Sequence, residues 1–289
     1  MPISPGPASL IGVLVLFAGC ATQPTMPAKV TAVDNADVSE CIGRLGHDPA
    51  PSAGELNGPD FSIVNWNIRK GKHAGWAGDL AGLHRDPALL ILQEASPRHD
   101  AWEALAPGHH RSFAEGFGIR DSTTGVMTVS AARPVSECQL VSLEPWFSTR
   151  KATLVTEYAL TNSDQNLLVL NIHAINFTFG VGGLEKQLRK AQRIIDAHNG
   201  PVIFSGDFNT WRGRRTRMLD ELLQDVGLTR LAFSIDHRKR FRGWPLDHVY
   251  VRGLDTLQAT TQALESSDHN PMIVRLALAE PQPSFAASP

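Results

Sequence analysis

The sequence predicts an α/β domain built from two packed β-sheets with helices on their outer faces, and three observations lead there. β-Rich apolar runs recur from residue 61 onward, clear helical stretches between them are few, and no Pro/Ser-rich linker interrupts residues 61–279. The runs fall at 61–68, 88–92, 125–130, 152–160, 167–173, 202–205, 248–252 and 272–279. Many strands with only some helices between them argue against a single doubly wound sheet. One helix is expected over 184–198, where Leu184, Leu188, Ala191, Ile194 and Ile195 share a face opposite Lys186, Arg189, Lys190 and Arg193, with Asn199-Gly200 as the stop. A second is expected over 215–226, with Met218, Leu219, Leu222 and Leu223.

Composition narrows the function classes. The 289 residues suffice for a full core, and 27 Lys plus Arg against 29 Asp plus Glu leave a net charge of −2, so any basic site is local. Gly and Pro follow no repeat period, which excludes a solenoid or collagen-like rod. Three widely separated cysteines exclude a disulfide scaffold and a zinc ribbon.

The N-terminus reads as a processed leader. Residues 10–18 form an apolar run of signal-peptide length, too short to span a bilayer, ending in small residues before Cys20. The stretch 16–20 resembles the bacterial lipobox, in which that cysteine is lipid-modified; Phe17 stands where the pattern prefers Leu, and residues 1–10 carry no Lys or Arg. The expected organisation is a signal peptide and lipobox at 1–20, a flexible tether at 21–60 with a short docked piece near 38–45, a catalytic domain at 61–279 and a disordered tail at 280–289. This puts a monomer on the periplasmic side of a bacterial membrane, anchored through Cys20, with a soluble exported form as the alternative. Cys41 and Cys138 remain as one possible disulfide or as two buried thiols.

Acidic, amide and imidazole residues cluster where strands end: Asn67, Glu94, His173, Asp207 with Asn209, Asp247, and Asp268 with His269. Any one of them has a dull explanation as a turn former or a satisfied core histidine. Burying them together is unfavourable unless they bind one another or an ion.

Taken in order, the blocks Asn65-Trp66-Asn67-Ile68, Leu92-Gln93-Glu94-Ala95, Asn171-Ile172-His173, Gly206-Asp207-Phe208-Asn209, Leu246-Asp247-His248-Val249 and Ser267-Asp268-His269-Asn270-Pro271 resemble the endonuclease/exonuclease/phosphatase superfamily. That superfamily includes DNase I-like nucleases, abasic-site endonucleases, neutral sphingomyelinases and inositol-polyphosphate 5-phosphatases. The run His-Ala-Ile-Asn-Phe at 173–177 is similar to a bacterial subgroup within it. The resemblance implies a DNase I-like four-layer α/β sandwich of mostly antiparallel sheets, agreeing with the two-sheet reading.

It also implies metal-assisted hydrolysis of a phosphodiester. Glu94 offers the hard oxygen that Mg²⁺ or Mn²⁺ prefers, with Asn67 and Asp268 as its neighbours. The resemblance makes Asp207 the residue that orients or deprotonates water, and Asn209 a hydrogen-bond donor to phosphate. His269 would contact the scissile phosphate with its ring held by Asp247, and His173 would assist phosphate binding or leaving-group protonation. His248, one position beyond Asp247 on the same strand, points to the other face and receives no catalytic role. Arg150 and Lys151 could reach a nonbridging oxygen.

Two arginine-rich stretches flank these blocks. Residues 211–217 contain Trp211, Arg212 and Arg214; residues 237–244 contain Arg240, Phe241 and Trp244. Such interleaving favours a polyanion and is expected to bind nucleic acid, although the arginines could instead be solvated or pair with Glu221, Asp225 and Asp236. The expectation is an exported Mg²⁺-dependent phosphodiesterase, a nuclease in the first instance. The alternatives are a phospholipid or sphingomyelin phosphodiesterase, and a silent phosphate- or nucleic-acid-binding lipoprotein.

Overall fold

The computed structural model describes residues 30–32, 36–46, 54–83, 87–119, 122–145, 149–176, 178 and 180–280. Cys20, the leader and all but the first residue of the tail lie outside the described residues. In chain order the elements begin β1 (Val30–Ala32), α1 (Val38–Arg44), β2 (Phe61–Asn67), α2 (Trp76–Leu83), β3 (Leu89–Ala95) and α3 (Trp102–Leu105). Next come β4 (His110–Ile119), β5 (Ser122–Ser130), β6 (Ser136–Leu143), β7 (Arg150–Tyr158) and β8 (Leu167–His173). They continue with α4 (Gly182–Asp196), β9 (Val202–Asp207), α5 (Gly213–Gln224) and the short β10 (Thr229–Arg230), β11 (Arg240–Phe241) and β12 (Trp244–Pro245). The chain closes with β13 (Asp247–Arg252), β14 (Leu254–Thr261) and β15 (Met272–Leu278).

Two sheets form, ordered β1-β4-β5-β3-β2-β15-β14 and β10-β13-β9-β8-β7-β6. Both are mixed: β1 with β4, β2 with β3, and β8 with β9 run parallel, and the remaining pairs are antiparallel. Strand alternation explains the layering. On β2, Phe61 and Ile63 face the other sheet while Val64 and Trp66 face α2 and α3; on β8, Leu167 and Val169 face inward while Leu168, Leu170 and Ile172 face α4 and α5. The result is helix, sheet, sheet, helix, as expected. Each leucine or isoleucine so buried contributes about 1.5–3 kcal/mol. Among the described residues no helix is long and apolar enough to cross a membrane.

The stretch expected as a tether carries a docked piece where one was expected, near 38–45. β1 pairs with β4, and α1 docks on β6 through buried Val38 and Cys41 and a Cys41–Cys138 disulfide with a Cα–Cα distance of 5.7 Å. Composition did not reveal β1, because three residues are too few to show a period.

The space between the sheets changes character along its length. Past the apolar half lies a layer of amides: Gln93 Nε2 donates to Asn65 Oδ1 at 3.0 Å and Asn171 Oδ1 at 2.8 Å, and Ser205 Oγ donates to Asn65 Oδ1 at 2.9 Å. Asn171 Nδ2 in turn donates to the carbonyls of Leu92 and Met127 at 3.2 and 3.0 Å. These buried bonds lock the two sheets in register, since a slip would strand several amides at once. Beyond this layer the sheets open, and there the titratable residues gather.

Candidate active site

Alternation carries inward-facing positions from the amide layer to the site. Asn65 is followed by Asn67, Asn171 by His173, Ser205 by Asp207, and β13 enters with Asp247 opposite Asp207. Glu94 breaks the rule: it should face away from Gln93, but its φ of 51° and the register shift between Gln93 and Ala95 form a bulge that turns it into the cleft. A tight left-handed turn at Arg69 and Lys70 follows Asn67.

Asp207 is the centre. It is buried, and Oδ2 receives the Asn67 amide at 3.1 Å while lying 3.6 Å from His173 Nε2 and 3.7 Å from His269 Nε2. Oδ1 accepts the Asn209 N–H at 3.0 Å. The two imidazoles sit in opposite states. Burial lowers the His269 pKa, but the Asp247 carboxylate, bonded to Nδ1 at 2.7 Å, and Asp207 outweigh it and push the value up to about 10. His269 is therefore an imidazolium, and its contact with Asp207 is an ion pair. Burial, reinforced by Lys151 and His269, holds His173 well below the ordinary imidazole value, so it is neutral and its contact with Asp207 carries no such pairing. Lys151 Nζ donates to His173 Nε2 at 2.6 Å, and burial lowers the lysine's own pKa. Asp207 itself is raised by burial, with Asp247 adding to the shift and His269 and Lys151 opposing it.

The loops are tied as firmly. Ser267 Oγ donates to Asn67 O at 2.6 Å and Trp66 Nε1 donates to His269 O at 3.0 Å, which seats Asp268 and His269 over β2. The segment after His173 is gripped by three buried groups that the sequence reading passed over: Gln187, Glu144 and Arg215. Arg215 lies beneath the loop and bonds the carbonyls of Ile175 and Asn176 and the Thr178 hydroxyl. The amides Asn65, Gln93 and Asn171 and the Ser205 hydroxyl had no role in the sequence blocks, though Asn65, Asn171 and Ser205 each stand two residues before a site residue, a usable signal.

Not every expected role survives in the expected form. Asn209 Nδ2 already donates to Ala174 O at 2.9 Å, leaving one amide hydrogen for a ligand. Asn67 Oδ1 accepts the Arg69 N–H at 3.0 Å, and half-exposed Asp268 lies 3.4 Å from Arg69 Nε. Glu94, Arg150, Lys151 and His173 line one cleft, with Arg150 exposed at its rim. Arg240 does not reach for a substrate: it pairs with Asp236 at 2.6 Å and bonds Gly243 O, because the hairpin returns its guanidinium to the nearest carboxylate. Arg214 lies away from the cleft in a groove between α4 and α5 with Glu185 and Glu221. Arg212 stacks over Trp211 at 4.7 Å and bonds Gly180 O. His248 is on the far face, as expected, 2.7 Å from Thr210 Oγ1.

The donor chemistry suits a hard divalent cation. The outer carboxylates are Glu94, which lines the cleft, and half-exposed Asp268 beside Arg69; thiolates are absent from the set, and Asp247 Oδ1 is buried without a partner among the described residues. Asp207, Asp247 and His269 also bring ligand atoms within 4.8 Å of one another. A cation there would have to displace the imidazolium proton, so the outer oxygens fit better.

Comparison with known proteins agrees with the fold. The family model described as Endonuclease/Exonuclease/phosphatase family matches residues 64–269. A UPF0294 protein of Vibrio parahaemolyticus is 34% identical over 276 residues, 94% of each chain. Among solved structures, an endonuclease/exonuclease/phosphatase from Beutenbergia cavernae superposes with a TM-score of 0.60 at 15% identity, covering 76% of this chain and 72% of its own. The human Nocturnin catalytic domain with bound sulfate anion gives 0.60 at 14%, covering 78% and 97%.

Proposed function

The chain belongs to the endonuclease/exonuclease/phosphatase family, and from that premise we propose that it is an exported, Mg²⁺-dependent phosphodiesterase that cleaves nucleic acid, with Mn²⁺ able to substitute. The observation that carries the reading is a buried carboxylate, Asp207, flanked by one charged and one neutral imidazole. Groups whose environments push their protonation apart divide acid from base work.

Glu94, with Asn67 and Asp268, would hold the ion. When bound, the ion neutralises charge on the phosphoryl oxygens and stabilises the leaving oxygen. Asp207 accepts a hydrogen bond from the attacking water and takes its proton, a task its raised pKa favours. The His269 imidazolium donates from Nε2 to a nonbridging oxygen while Asp247 fixes Nδ1. Lys151 and His173 supply the proton that the leaving oxygen needs as its bond to phosphorus breaks. Asn209 offers its second amide hydrogen to the phosphate, and Arg150 meets it at the rim.

Export is supported by the leader and by the Cys41–Cys138 disulfide, a bond that oxidising compartments preserve. Anchoring through a lipidated Cys20 would hold a monomer on the periplasmic face of the membrane. The same anchor favours a second reading, a phospholipid or sphingomyelin diesterase. The test is hydrolysis by the purified chain of plasmid DNA, RNA, an aryl phosphodiester and phospholipid, each with Mg²⁺ and with EDTA. Metal-dependent cleavage of nucleic acid is expected; headgroup release alone would select the lipid reading, and inertness toward all four would overturn both. Fractionation of cells carrying Cys20→Ala tests the anchor, which predicts release from the membrane.

A further inference from the structure

The exposed large apolar side chains among the described residues are Leu143, Ile235, Leu257, Phe241 and Trp244, and the two aromatic ones are neighbours on one hairpin. Phe241 pairs with Trp244 across β11 and β12, which sets both rings on the same face, 50% and 40% exposed. Trp211 meets Phe241 edge-on at 6.3 Å, and Arg242 lies over the Phe241 ring at 5.6 Å. Gly213 lies against the Trp244 ring, where a Cβ would stand 2.7 Å from it and push the ring aside.

This ledge is bolted to the catalytic strands. Thr210 Oγ1 donates to Pro245 O at 2.7 Å, the Phe208 N–H to Leu246 O at 3.0 Å, and Arg238 to Asp247 O at 3.1 Å. Trp211 is two residues from Asn209, and Trp244 three from Asp247, so their Cα atoms lie no more than about 11 Å from those of the two site residues.

We propose that Trp211, Phe241 and Trp244, with Arg212 and Arg242, form a stacking ledge for the single-stranded nucleic acid that flanks the scissile phosphate. The half-exposed Phe241 and Trp244 rings take a planar apolar partner, with Trp211 as their edge-on support, and the interleaved guanidiniums take phosphate; an unpaired strand offers both at every step. A duplex hides its base faces and offers phosphate alone. The inference rests on the phosphodiesterase reading only for where the scissile phosphate lies.

The full chain would be titrated, in EDTA, into a fluorescently labelled oligothymidylate and into a labelled duplex of equal length, with anisotropy as the readout. The single strand should bind at least about fivefold tighter than the duplex. Joint Phe241→Ala and Trp244→Ala substitution should remove about fivefold or more of that affinity, whereas joint Phe241→Tyr and Trp244→Phe substitution should retain it, at unchanged melting temperature. Equal affinity for single strand and duplex, or full retention in the alanine pair, would overturn the ledge. So would sedimentation with phosphatidylglycerol vesicles without oligonucleotide binding. Wild-type protein that hydrolyses an aryl phosphodiester yet ignores the oligonucleotide sinks the ledge alone; tight single-strand binding with no hydrolysis of any ester sinks the phosphodiesterase reading alone.

Discussion

Removing the Cys41–Cys138 bond gives the most calculable perturbation of this fold. The bridge spans 97 residues of sequence and joins α1 to β6 on the outer face of the second sheet. Closing a loop of that length withdraws chain entropy from the unfolded state worth about 4–5 kcal/mol. Apart from the packing of Val38, Ile42 and Leu45 on the outer face of that sheet, a few hydrogen bonds hold α1. It has seven residues, an Asp37 cap accepting the Glu40 N–H at 2.8 Å, and bonds from Ala36 N to Gln139 O at 2.9 Å and from Arg44 to Glu137 O at 3.2 Å. A helix that short does not persist without its docking. Joint Cys41→Ala and Cys138→Ala substitution should therefore lower the melting temperature by about 10–20 °C and expose residues 36–46 to protease. Phosphodiester hydrolysis at 20 °C should survive, because the catalytic cleft opens elsewhere. Urea melts of the two proteins without reductant read the difference, and a thiol titration of denatured wild type reads the bond itself. Equal midpoints, or two free thiols at positions 41 and 138, would refute the reasoning.

Three further outcomes follow from buried polar groups. His248 is buried and held neutral, burial first and Arg238 second keeping its pKa well below the unfolded value of 6.5. Below that pH the unfolded chain binds a proton that the fold refuses, so stability should fall by about 1.4 kcal/mol per pH unit as pH drops; His248→Gln should flatten the acid limb of a urea-midpoint profile, and an unchanged slope would contradict this. Asp247→Asn removes the anion that keeps His269 charged up to pH of about 10, so hydrolysis at pH 8 should drop about 100-fold and the alkaline limb of the rate profile should move toward neutrality. Gln93→Leu strands the Asn171 Oδ1, while Asn65 Oδ1 keeps the Ser205 hydroxyl, and should destabilise the protein by about 1–3 kcal/mol, visible as a lower urea midpoint with the m-value retained.

All eight apolar runs became strands, and both amphipathic stretches became helices within two or three residues of the expected ends, because their side chains alternate or repeat at a single period. What the pattern concealed has local causes. β4 opens with His110, Arg111 and Ser112 and contains Gly116 and Gly118, and β14 is an edge strand with residues Asp255 to Gln258 exposed, so neither shows an apolar run in the sequence. At the site, Asn67, His173, Asp207 and Asp247 were legible as polar positions ending apolar strands. Glu94 was legible by identity alone, since its direction depends on a bulge that spacing does not encode. Arg240 takes the alternative that the charge pattern left open, a pair with Asp236, because local charge does not say which anion stands nearer. The Gln187, Glu144 and Arg215 clamp is assembled from separate elements and had no sequence signature at all.

The most direct trial of the Asp207-centred account is the rate of Mg²⁺-supported cleavage of an aryl phosphodiester by wild type beside Asp207→Asn and Glu94→Gln, each shown to melt cooperatively. The account predicts turnover in the wild type that falls by about 1000-fold or more in both variants and vanishes on chelation. Wild-type rates in either folded variant, or hydrolysis indifferent to EDTA, would contradict it.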